Sequence, residues 1–308
     1  MKLYINYKIK ESGKGKFLKR LIPYLEDLGV KCSFKNKKAD IALGVRYWRE
    51  KIRIPKVLRV DGIYLWRNKS TFWRNNLTKK AIKRSDGVIW QSEFCKKMVS
   101  GILKIKSKRE FVIFNGADPK DYEVEPVKRT ARYYVIMSAR WKGRPWKRLK
   151  DCLAVAREAR KLEDVYFWVA GKYDKDLSER GIKFLGHLSE GKLRKYLASS
   201  DAMLNLSYND WCPNAVVEAL CTGLPVVCNN CSGAAELVGD NSRVVDVDPK
   251  PRTKYMNADK PPRVDTAPVV SRLLDVLHNS NKQIIDKVTV ENIAKQYKNA
   301  FEEVLSAQ

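Results

Sequence analysis

Residues 201–240, DAMLNLSYNDWCPNAVVEALCTGLPVVCNNCSGAAELVGD, decide the fold of this chain. The short apolar run 202–206 is typical of a buried strand, and residues 224–228 predict a second one. Between these two runs, Pro213 and Gly223 mark the first turn and the end of a helix. A loop of small residues then leads into another helix. Because strand, helix, strand, helix is the repeating unit of a parallel sheet, the stretch predicts an α/β fold.

Polar groups gather at one end of this predicted unit. Asp210 follows the first strand, and Glu218 lies inside the next helix. Parallel sheets bind their ligands at this carboxyl end of the strands. Backbone N–H groups at Asn214, Ala215 and Val216, with the positive end of the helix dipole, predict a phosphate site. A carboxylate at Glu218 can accept hydrogen bonds from two neighbouring hydroxyls, which suits a ribose diol.

The stretch resembles the signature of the retaining glycosyltransferases of family 4, which have the two-domain GT-B fold. That signature is an acidic pair with seven residues between, followed by Glu-Ala-x-x-x-Gly-x-Pro-Val-Val. Here the pair is Asp210 and Glu218, and the tail is residues 218–227. The departure is Asp210, where the family usually has Glu, so this carboxylate has a shorter reach toward the donor sugar. The alternative is an ordinary helix with Asp210 as its cap and Glu218 on a solvated face.

The resemblance implies a domain organisation that the chain length supports, since 308 residues suggest two domains. We expect two Rossmann-like parallel-sheet domains facing a central cleft, with a C-terminal helix that crosses back to the first domain. The predicted boundaries are 1–122 for an acceptor-side domain, 123–131 for a linker, 132–288 for a nucleotide-sugar-binding domain and 289–308 for the crossover helix. The linker prediction depends on a polar segment that has two prolines and no apolar period.

The excess of positive over negative charge lies entirely in the first half of the chain. Residues 1–150 contain 40 Lys and Arg against 13 Asp and Glu, a net charge of +27, whereas residues 151–308 contain 21 against 22, a net charge of −1. Such a field attracts anionic partners such as acidic lipid surfaces, phosphorylated carriers or nucleic acid. The alternative, a surface that serves solubility alone, does not explain why the second half is neutral.

A cation-rich loop follows the predicted first strand of the second domain, at residues 139–148. The resemblance implies an Arg and a Lys there that hold the nucleotide diphosphate, and Arg140 and Lys147 match best, with Lys142 as a rival of Lys147. Fixed cations stabilise a leaving diphosphate most in the transition state, where its charge grows. A run of surface charge is the alternative. The resemblance also implies donor contacts from Ser232 and Gly233, which open the helix after the second strand of the signature.

In the first half, two segments match the family more loosely. Gly13 and Gly15 lie in a predicted turn after the first strand, where family members place a glycine-containing loop that faces the donor; a plain turn is the alternative. Arg59 and Asp61 lie at the carboxyl end of a predicted strand. Many family members have a His near this point, so Asp61 is the candidate for a catalytic role. The alternative is that Asp61 pairs with Arg59 and shapes the loop.

Residues 64–84 interleave aromatic residues with seven Lys or Arg. Trp66 and Trp73, with Arg59, form the predicted acceptor side, because aromatic rings stack on sugars or bases or lie in a membrane interface while cations hold phosphates. The alternative is a basic amphipathic helix whose aromatic side chains belong to the core.

Several classes of site and location are excluded or disfavoured. We predict no metal site, because Asp174-x-Asp176 and Asp246-x-Asp248 fall in polar loops, and no cofactor beyond a nucleotide-diphosphate sugar as co-substrate. No apolar run is long enough to cross a membrane, and no signal peptide opens the chain. Seven Cys, an odd number, favour free thiols. These features predict a cytoplasmic protein, with peripheral association at the inner face of the membrane as a further expectation.

The predicted function is therefore a metal-independent, retaining glycosyltransferase of the hexosyltransferase type. Its expected partners are a nucleotide-sugar donor and an anionic acceptor such as a lipid-linked glycan or a membrane surface. Nucleic acid is a second possible acceptor, as in a DNA-modifying sugar transferase. The same residues also suit a nucleotide-sugar 2-epimerase, or a non-enzymatic nucleic-acid or membrane-binding protein with a decayed donor site.

Overall fold

The computed structural model describes residues 1–9, 13–35, 38–66, 68–174, 177–239, 243–247, 253–255 and 260–307. The described chain forms two compact units. The first unit comprises residues 1–117, 253–255 and 287–307, and the second comprises 118–247 and 260–286.

A parallel sheet forms the core of the first unit. Its strands are short apolar runs, and β3 and β5 are buried along their whole length. Their order in the sheet is β2-β1-β3-β4-β5-β6. All neighbours pair in parallel, which places their carboxyl ends at one edge. The strands are β1 (Lys2–Asn6), β2 (Lys31–Ser33), β3 (Ile41–Val45), β4 (Lys56–Val60), β5 (Gly87–Trp90) and β6 (Glu110–Val112).

Four helices of the described chain cover this sheet: α1 (Gly13–Asp27), α2 (Lys69–Lys83), α3 (Glu93–Leu103) and α9 (Val290–Ser306). Side chains cap the amino ends of α2 and α3, where Asn68 accepts from the Thr71 N–H and Ser92 from the Cys95 N–H. The C-terminal helix α9 packs on α1 and joins its core, with the rings of Phe17 and Tyr297 6.0 Å apart. The predicted return of the last helix to the first domain is confirmed.

The second unit repeats the architecture with a second parallel sheet, whose order is β12-β11-β10-β7-β8-β9. Its strands are β7 (Tyr133–Ser138), β8 (Val165–Ala170), β9 (Ile182–Gly186), β10 (Ala202–Asn205), β11 (Val226–Asn229) and β12 (Val244–Val245). The helices are α4 (Leu149–Leu162), α5 (Glu190–Ala198), α6 (Asn214–Cys221), α7 (Gly233–Val238) and α8 (Thr266–Asn279). The predicted α/β class with two Rossmann-like sheets is confirmed.

Helix α1 differs from the sequence interpretation. The predicted turn with Gly13 and Gly15 is instead the first turn of α1, which begins at Gly13 rather than near Phe17. Pro23 lies inside this helix without dividing it. Proline removes one backbone donor, but the buried apolar side of α1 packs on the sheet and offsets that loss.

Residues 123–131, predicted as a linker, fall within the second unit and contact other parts of it. Residues Pro119–Tyr122 form a 3-10 helix whose cap is Asp118. Further along, the Val127 N–H donates to the Ser199 hydroxyl at 2.7 Å, and Arg129 forms an ion pair with Asp201. The division between the units accordingly falls between residues 117 and 118.

Candidate active site

The loop between β10 and α6 is held by hydrogen bonds to two other loops. Tyr208 donates its N–H to the Trp146 carbonyl at 2.8 Å, and Asn209 donates its N–H to the Cys231 carbonyl at 2.9 Å. Asn209 has φ 54°, in the left-handed region that Asn tolerates better than most residues. Since β7 and β11 flank β10, these loops leave the same edge of the sheet. Asp210 is thereby fixed at that edge.

Asp210 accepts a hydrogen bond from Lys147, and the two side chains are 17% and 13% exposed. Lys147 ends the short 3-10 helix Pro145–Lys147 in the loop after β7. The two residues are 63 positions apart and meet because β7 and β10 are neighbouring parallel strands. The structure therefore joins two of the residues predicted for catalysis into one partly buried ion pair.

Two arginines of the same loop lie near this pair. Burial lowers the pKa of Arg144, the positive charge of Arg140 lowers it further, and the negative charge of Asp210 opposes them. Arg140 is exposed, as expected for a side chain that receives a ligand. Arg144 also lies over the Trp146 ring, 5.8 Å from its centroid. The sequence interpretation missed Arg144, whose place in the same cation-rich loop was the available signal.

Lys142, the rival of Lys147, belongs to a different part of the loop. Its side chain is 64% exposed and its Nζ lies 4.0 Å from the Asp174 carboxylate in the loop after β8. The Gly143 N–H donates to the same carboxylate at 3.2 Å. Of the two lysines, Lys147 is the one that contacts Asp210.

The start of the cation-rich loop is locked against the end of β8. The Ala139 N–H and the Trp141 indole N–H both donate to the Ala170 carbonyl, at 3.2 and 2.8 Å. Gly171 has φ 118°, and a Cβ added to it would overlap the Ala139 carbonyl oxygen. A glycine is therefore required where the two loops touch, and this contact fixes the backbone beside Arg140.

Arg148 is a structural residue although it lies beside Lys147. It is 2% exposed, and its guanidinium donates to the Pro262 carbonyl at 2.8 Å and to the Leu206 carbonyl at 3.4 Å. The guanidinium also lies over the Tyr208 ring at 4.9 Å. Arg148 thus supports the β10–α6 loop through its contacts with Leu206 and Tyr208.

Helix α6 begins beside Asp210, and Pro213 is its N-cap residue. The Val216 N–H donates to the Pro213 carbonyl at 2.9 Å, so that predicted phosphate donor is already engaged. Asn214 and Ala215 are half-buried at the open end of the helix, and no described residue accepts from the Ala215 N–H. Glu218 is also half-buried, one turn further along. Of the three predicted amide donors, Ala215 is therefore the one whose N–H meets no acceptor within the described chain.

The predicted donor contacts at the start of α7 have structural partners. The Ser232 hydroxyl is buried and accepts from the Ala234 N–H at 3.2 Å, which caps α7. The Gly233 N–H donates to the Asp210 carbonyl at 2.8 Å. Ser232 therefore caps α7, and Gly233 supports the Asp210 loop.

In the first unit, Asp61 belongs to a buried polar cluster at the ends of β4, β5 and β6. Its carboxylate pairs with Arg59 at 2.9 Å and with Lys14 at 3.2 Å, and it accepts from the Gln91 amide. Arg59 also donates to the Asn115 side chain at 2.5 Å. Asn115, in the turn after β6, therefore helps to hold Arg59 in place.

The electrostatics of this cluster argue against Asp61 as a general base. Burial by itself raises the pKa of Asp61, but the charges of Arg59 and Lys14 outweigh burial and leave the pKa below its ordinary value. A carboxylate that holds its charge so firmly accepts protons poorly. The alternative interpretation, that Asp61 pairs with Arg59 and shapes the loop, agrees with these contacts.

The predicted acceptor-side aromatics differ in exposure. Trp66 is half-buried near Tyr64, with ring centroids 6.4 Å apart. On α2, Trp73 is 64% exposed and Phe72 is 49% exposed. The aromatic side chains of α2 are therefore not core residues, and that alternative is wrong for them.

The first unit also contains a cavity of about 520 Å³ at the carboxyl end of β1. Tyr4 and Asn6 both hydrogen-bond the Glu50 carboxylate there, and the Arg49 N–H donates to Asn6 at 2.9 Å. None of the residues predicted from the sequence lines it.

The described residues include no group of three or more His, Cys, Asp or Glu side chains that could hold a metal ion. Asp176 and Asp248, the second members of the two Asp-x-Asp pairs, lie outside the described residues. All seven cysteines are free thiols. Within the described chain, no helix is both long and apolar enough to cross a membrane.

Comparison with known protein families identifies the segment that holds this site. Residues 132–256 match the family model described as "Glycosyl transferases group 1". That segment includes Arg140, Lys147, Asp210 and Glu218. The resemblance inferred from the sequence is confirmed over this part of the chain. Among curated proteins, none matches this sequence.

Solved structures share the fold along the whole chain. HepE from Anabaena in complex with UDP and glucose is 15% identical, with a TM-score of 0.67 over 98% of this chain and 99% of HepE. Sucrose-phosphate synthase from Thermosynechococcus elongatus is also 15% identical, with a TM-score of 0.60 over 98% and 82%. WaaG, a glycosyltransferase involved in lipopolysaccharide biosynthesis, is 10% identical, with a TM-score of 0.63 over 99% and 98%. The fold is GT-B, as predicted.

Proposed function

We propose that this chain, a GT-B protein whose residues 132–256 are of the group 1 glycosyl transferase type, transfers a sugar from a nucleotide-diphosphate sugar to an anionic or membrane-associated acceptor. The observation that supports this most is the Lys147–Asp210 pair at the carboxyl edge of the second sheet, beside Arg144 and the start of α6. Cations, a carboxylate and a helix N-terminus together suit a diphosphate joined to a sugar.

Lys147, Arg140 and Arg144 would hold the diphosphate. As the glycosidic bond breaks, negative charge grows on the leaving phosphate, and fixed cations stabilise that state more than the ground state. The amides of Asn214 and Ala215 would add the positive end of the α6 dipole. These cations supply the charge that a divalent metal supplies in other sugar transferases, so we propose that transfer proceeds in the presence of a chelator.

The two carboxylates would have separate roles. Glu218 would accept from the ribose hydroxyls of the nucleotide. We expect the diphosphate to take Lys147 from Asp210, so that the Asp210 carboxylate becomes available to the donor sugar. In this proposal the sugar keeps its anomeric configuration, as the family resemblance implies, and the donor sugar is a hexose.

The donor base is proposed from the structural neighbour. HepE was solved with UDP, with UDP and glucose, and with UDP-glucose, so UDP-hexoses are the first donors to test. The first unit would present the acceptor through its basic surface, with Trp66 and Trp73 on that side. Arg59, predicted from the sequence for the same role, is 1% exposed and would only support this surface from the buried cluster. Asp61 would position Lys14 and Arg59 rather than take a proton, given its two ion pairs.

Thermal shift against a panel of nucleotide sugars tests the donor site. A donor that binds only the folded chain at 100 times its Kd raises the free energy of unfolding by about 2.7 kcal/mol. Lys147→Ala removes a charge-assisted contact and should weaken donor binding about 10- to 150-fold. Glu218→Gln should weaken binding of the sugar nucleotide but not of inorganic diphosphate.

Lys142→Ala is the matched control, because Lys142 is exposed in the same loop and faces Asp174. Equal donor affinity in the Lys147→Ala and Lys142→Ala variants would contradict the assignment. Product analysis with donor alone and with a candidate acceptor separates sugar transfer from epimerisation of the donor.

A further inference from the structure

A second group of charged side chains, Arg46 and Arg74 around Tyr64, lies in the first unit, whereas the proposed donor residues belong to the second. Arg46 and Arg74 both donate hydrogen bonds to the phenol oxygen of Tyr64, at 3.2 and 3.1 Å. Both guanidinium groups also lie over the Tyr64 ring, 4.7 and 5.2 Å from its centroid. Two positive charges therefore converge on one oxygen atom that belongs to an uncharged group, although like charges repel.

The backbone of Arg46 is constrained in a way that favours a functional explanation. Arg46 directly follows β3 and has φ 67°, in the left-handed region that an arginine rarely adopts. Its N–H donates to the Arg59 carbonyl at 2.8 Å, which holds the turn. Its Nε is buried and has no hydrogen-bond partner among the described residues. Strained residues of this kind concentrate at binding sites, where the surrounding structure holds them in place.

Tyr64 and Arg74 are held in place relative to each other by Asn75 of α2. Asn75 is 1% exposed on that helix, one residue after Arg74. Its side chain accepts from the Tyr64 N–H at 3.0 Å and donates to the Tyr64 carbonyl at 2.7 Å. Tyr64 and Arg74 are thus held in register, so the two guanidinium groups are positioned before any ligand arrives.

The surrounding charges favour an anion. The charge of Lys14 interacts with those of Arg46 and Arg59, and Asp61 is a carboxylate that interacts with all three cations. Arg74 brings these cations to four, and among the described residues named here Asp61 is their one carboxylate. Burial lowers the pKa of Lys14, the charge of Asp61 opposes burial, and the charges of Arg46 and Arg59 lower the pKa again. An additional negative charge would relieve this excess of positive charge.

We propose that Arg46 and Arg74 bind a phosphate group of the acceptor, which replaces the Tyr64 phenol as their shared hydrogen-bond acceptor. The inference rests on the proposed sugar transfer and narrows its acceptor to a phosphate ester. One guanidinium group can donate two parallel hydrogen bonds to two oxygens of a phosphate. A phosphate also carries the negative charge that a neutral phenol lacks. Neither arginine is among the residues proposed above to hold the donor.

Such an ester could be a soluble sugar phosphate or the head group of a lipid. Two aromatic residues precede Arg74 along α2: Phe72, which is 49% exposed, and Trp73, which is 64% exposed. Aromatic side chains beside a phosphate site are typical of proteins that touch a bilayer surface. The experiment therefore includes one arm for each source.

Isothermal titration of the full-length chain with inorganic phosphate tests the site. Arg46→Gln and Arg74→Gln should each weaken phosphate binding at least about tenfold, because each removes a charge-assisted pair. Arg84→Gln is the matched control, since Arg84 is an exposed arginine at the end of the same helix. Arg74 is exposed, so its replacement leaves the core intact. Equal losses in all three variants, or no binding by the wild type, would overturn the proposal.

Two further measurements distinguish failure of this inference from failure of the proposed function, and a lipid phosphate from a soluble phosphate ester. Thermal shift with UDP-glucose reports on the second unit, and the Arg46→Gln and Arg74→Gln variants should keep the wild-type shift. A donor shift without phosphate binding refutes this inference alone, and phosphate binding without any donor shift refutes the proposed function alone. Tighter binding to phosphatidic acid vesicles than to a hexose phosphate, reduced by Trp73→Ser, identifies a lipid phosphate; equal binding identifies a soluble ester.

Discussion

Asp61 shows how much a residue's role depends on its partners. Its position after a buried strand suggests a catalytic carboxylate, yet in the structure its oxygens face Arg59 and Lys14 and its side chain is 4% exposed. For Lys147 and Asp210, the partner instead supports a functional role. Each lies in a surface loop whose local sequence does not by itself indicate a site, and their contact brings them together as one.

Replacing Asp61 by Asn should destabilise the first unit by about 3–5 kcal/mol, because it leaves buried cations without their counter-charge. The folded pKa of Asp61 lies below its unfolded value of about 3.9. Its contribution is therefore complete above that unfolded value and is lost as the pH falls through the folded pKa. Urea-unfolding midpoints between about pH 7 and pH 3 should fall less in Asp61→Asn than in the wild type.

Glu303→Gln is the control for this measurement, because Glu303 is exposed on α9. We expect that variant to follow the wild-type pH curve. A midpoint for Asp61→Asn that equals the wild type at pH 7 would show that the ion pairs contribute nothing to stability.

Among the structural elements, the loop after β7 has the largest influence on the donor site. It contains Arg140, Arg144 and Lys147, and it is fixed at its start by the contact between Ala139 and Gly171. The local sequence predicts the loop and its cations. It does not predict which cations turn toward Asp210, because that depends on the neighbouring strands β8 and β10.

Gly171→Ala should cost at least about 2 kcal/mol of stability, since the strain of a side chain at φ 118°, about 1–3 kcal/mol, adds to the displacement of Ala139. Donor binding should weaken as well, because the Arg140 backbone moves with Ala139. Differential scanning fluorimetry with and without donor measures both effects.

Gly143→Ala is the matched control within the same loop. Gly143 has φ 64°, but a Cβ there would meet no atom within 4 Å. The strain of the left-handed conformation alone is about 1–2 kcal/mol. Identical melting temperatures for the two variants would mean that the Ala139 contact does not constrain the loop.

On the scale of the whole molecule, the uneven charge is the dominant feature. The first 150 residues have a net charge of +27 and the remainder −1. The division between a basic first half and a neutral second half follows from the sequence alone. The exposed Trp73 and Phe72 on α2 add apolar contact area to the basic unit.

We therefore expect the chain to bind vesicles of phosphatidylglycerol and not vesicles of phosphatidylcholine. Binding should fall steeply between about 0.1 and 1 M salt, because the Debye length falls from about 10 to about 3 Å. Co-sedimentation measures the bound fraction, and Trp73→Ser should reduce the part that survives high salt. Equal binding to both lipids, or binding indifferent to salt, would contradict an electrostatic partner surface.

The sequence by itself determined the elements and their class. The sequence predicts a strand that ends near Arg59 and another before the loop 139–148, and β4 and β7 lie there, because short apolar runs bounded by polar loops are decided locally. The start of α1 was misplaced by four residues, since glycines that are typical of a turn are held in helix by the packing of the rest of α1.

Only the tertiary structure decided which side chains meet. Strand order brings the loop after β7 beside the loop after β10, and so it pairs Lys147 with Asp210 across 63 residues. It also buries Asp61 against Arg59 and Lys14. Strand order is set by the packing of whole elements, and the free energy of a buried charge depends on neighbours that are distant along the chain. Neither the strand order nor the free energy of a buried charge can be predicted from a local stretch of sequence.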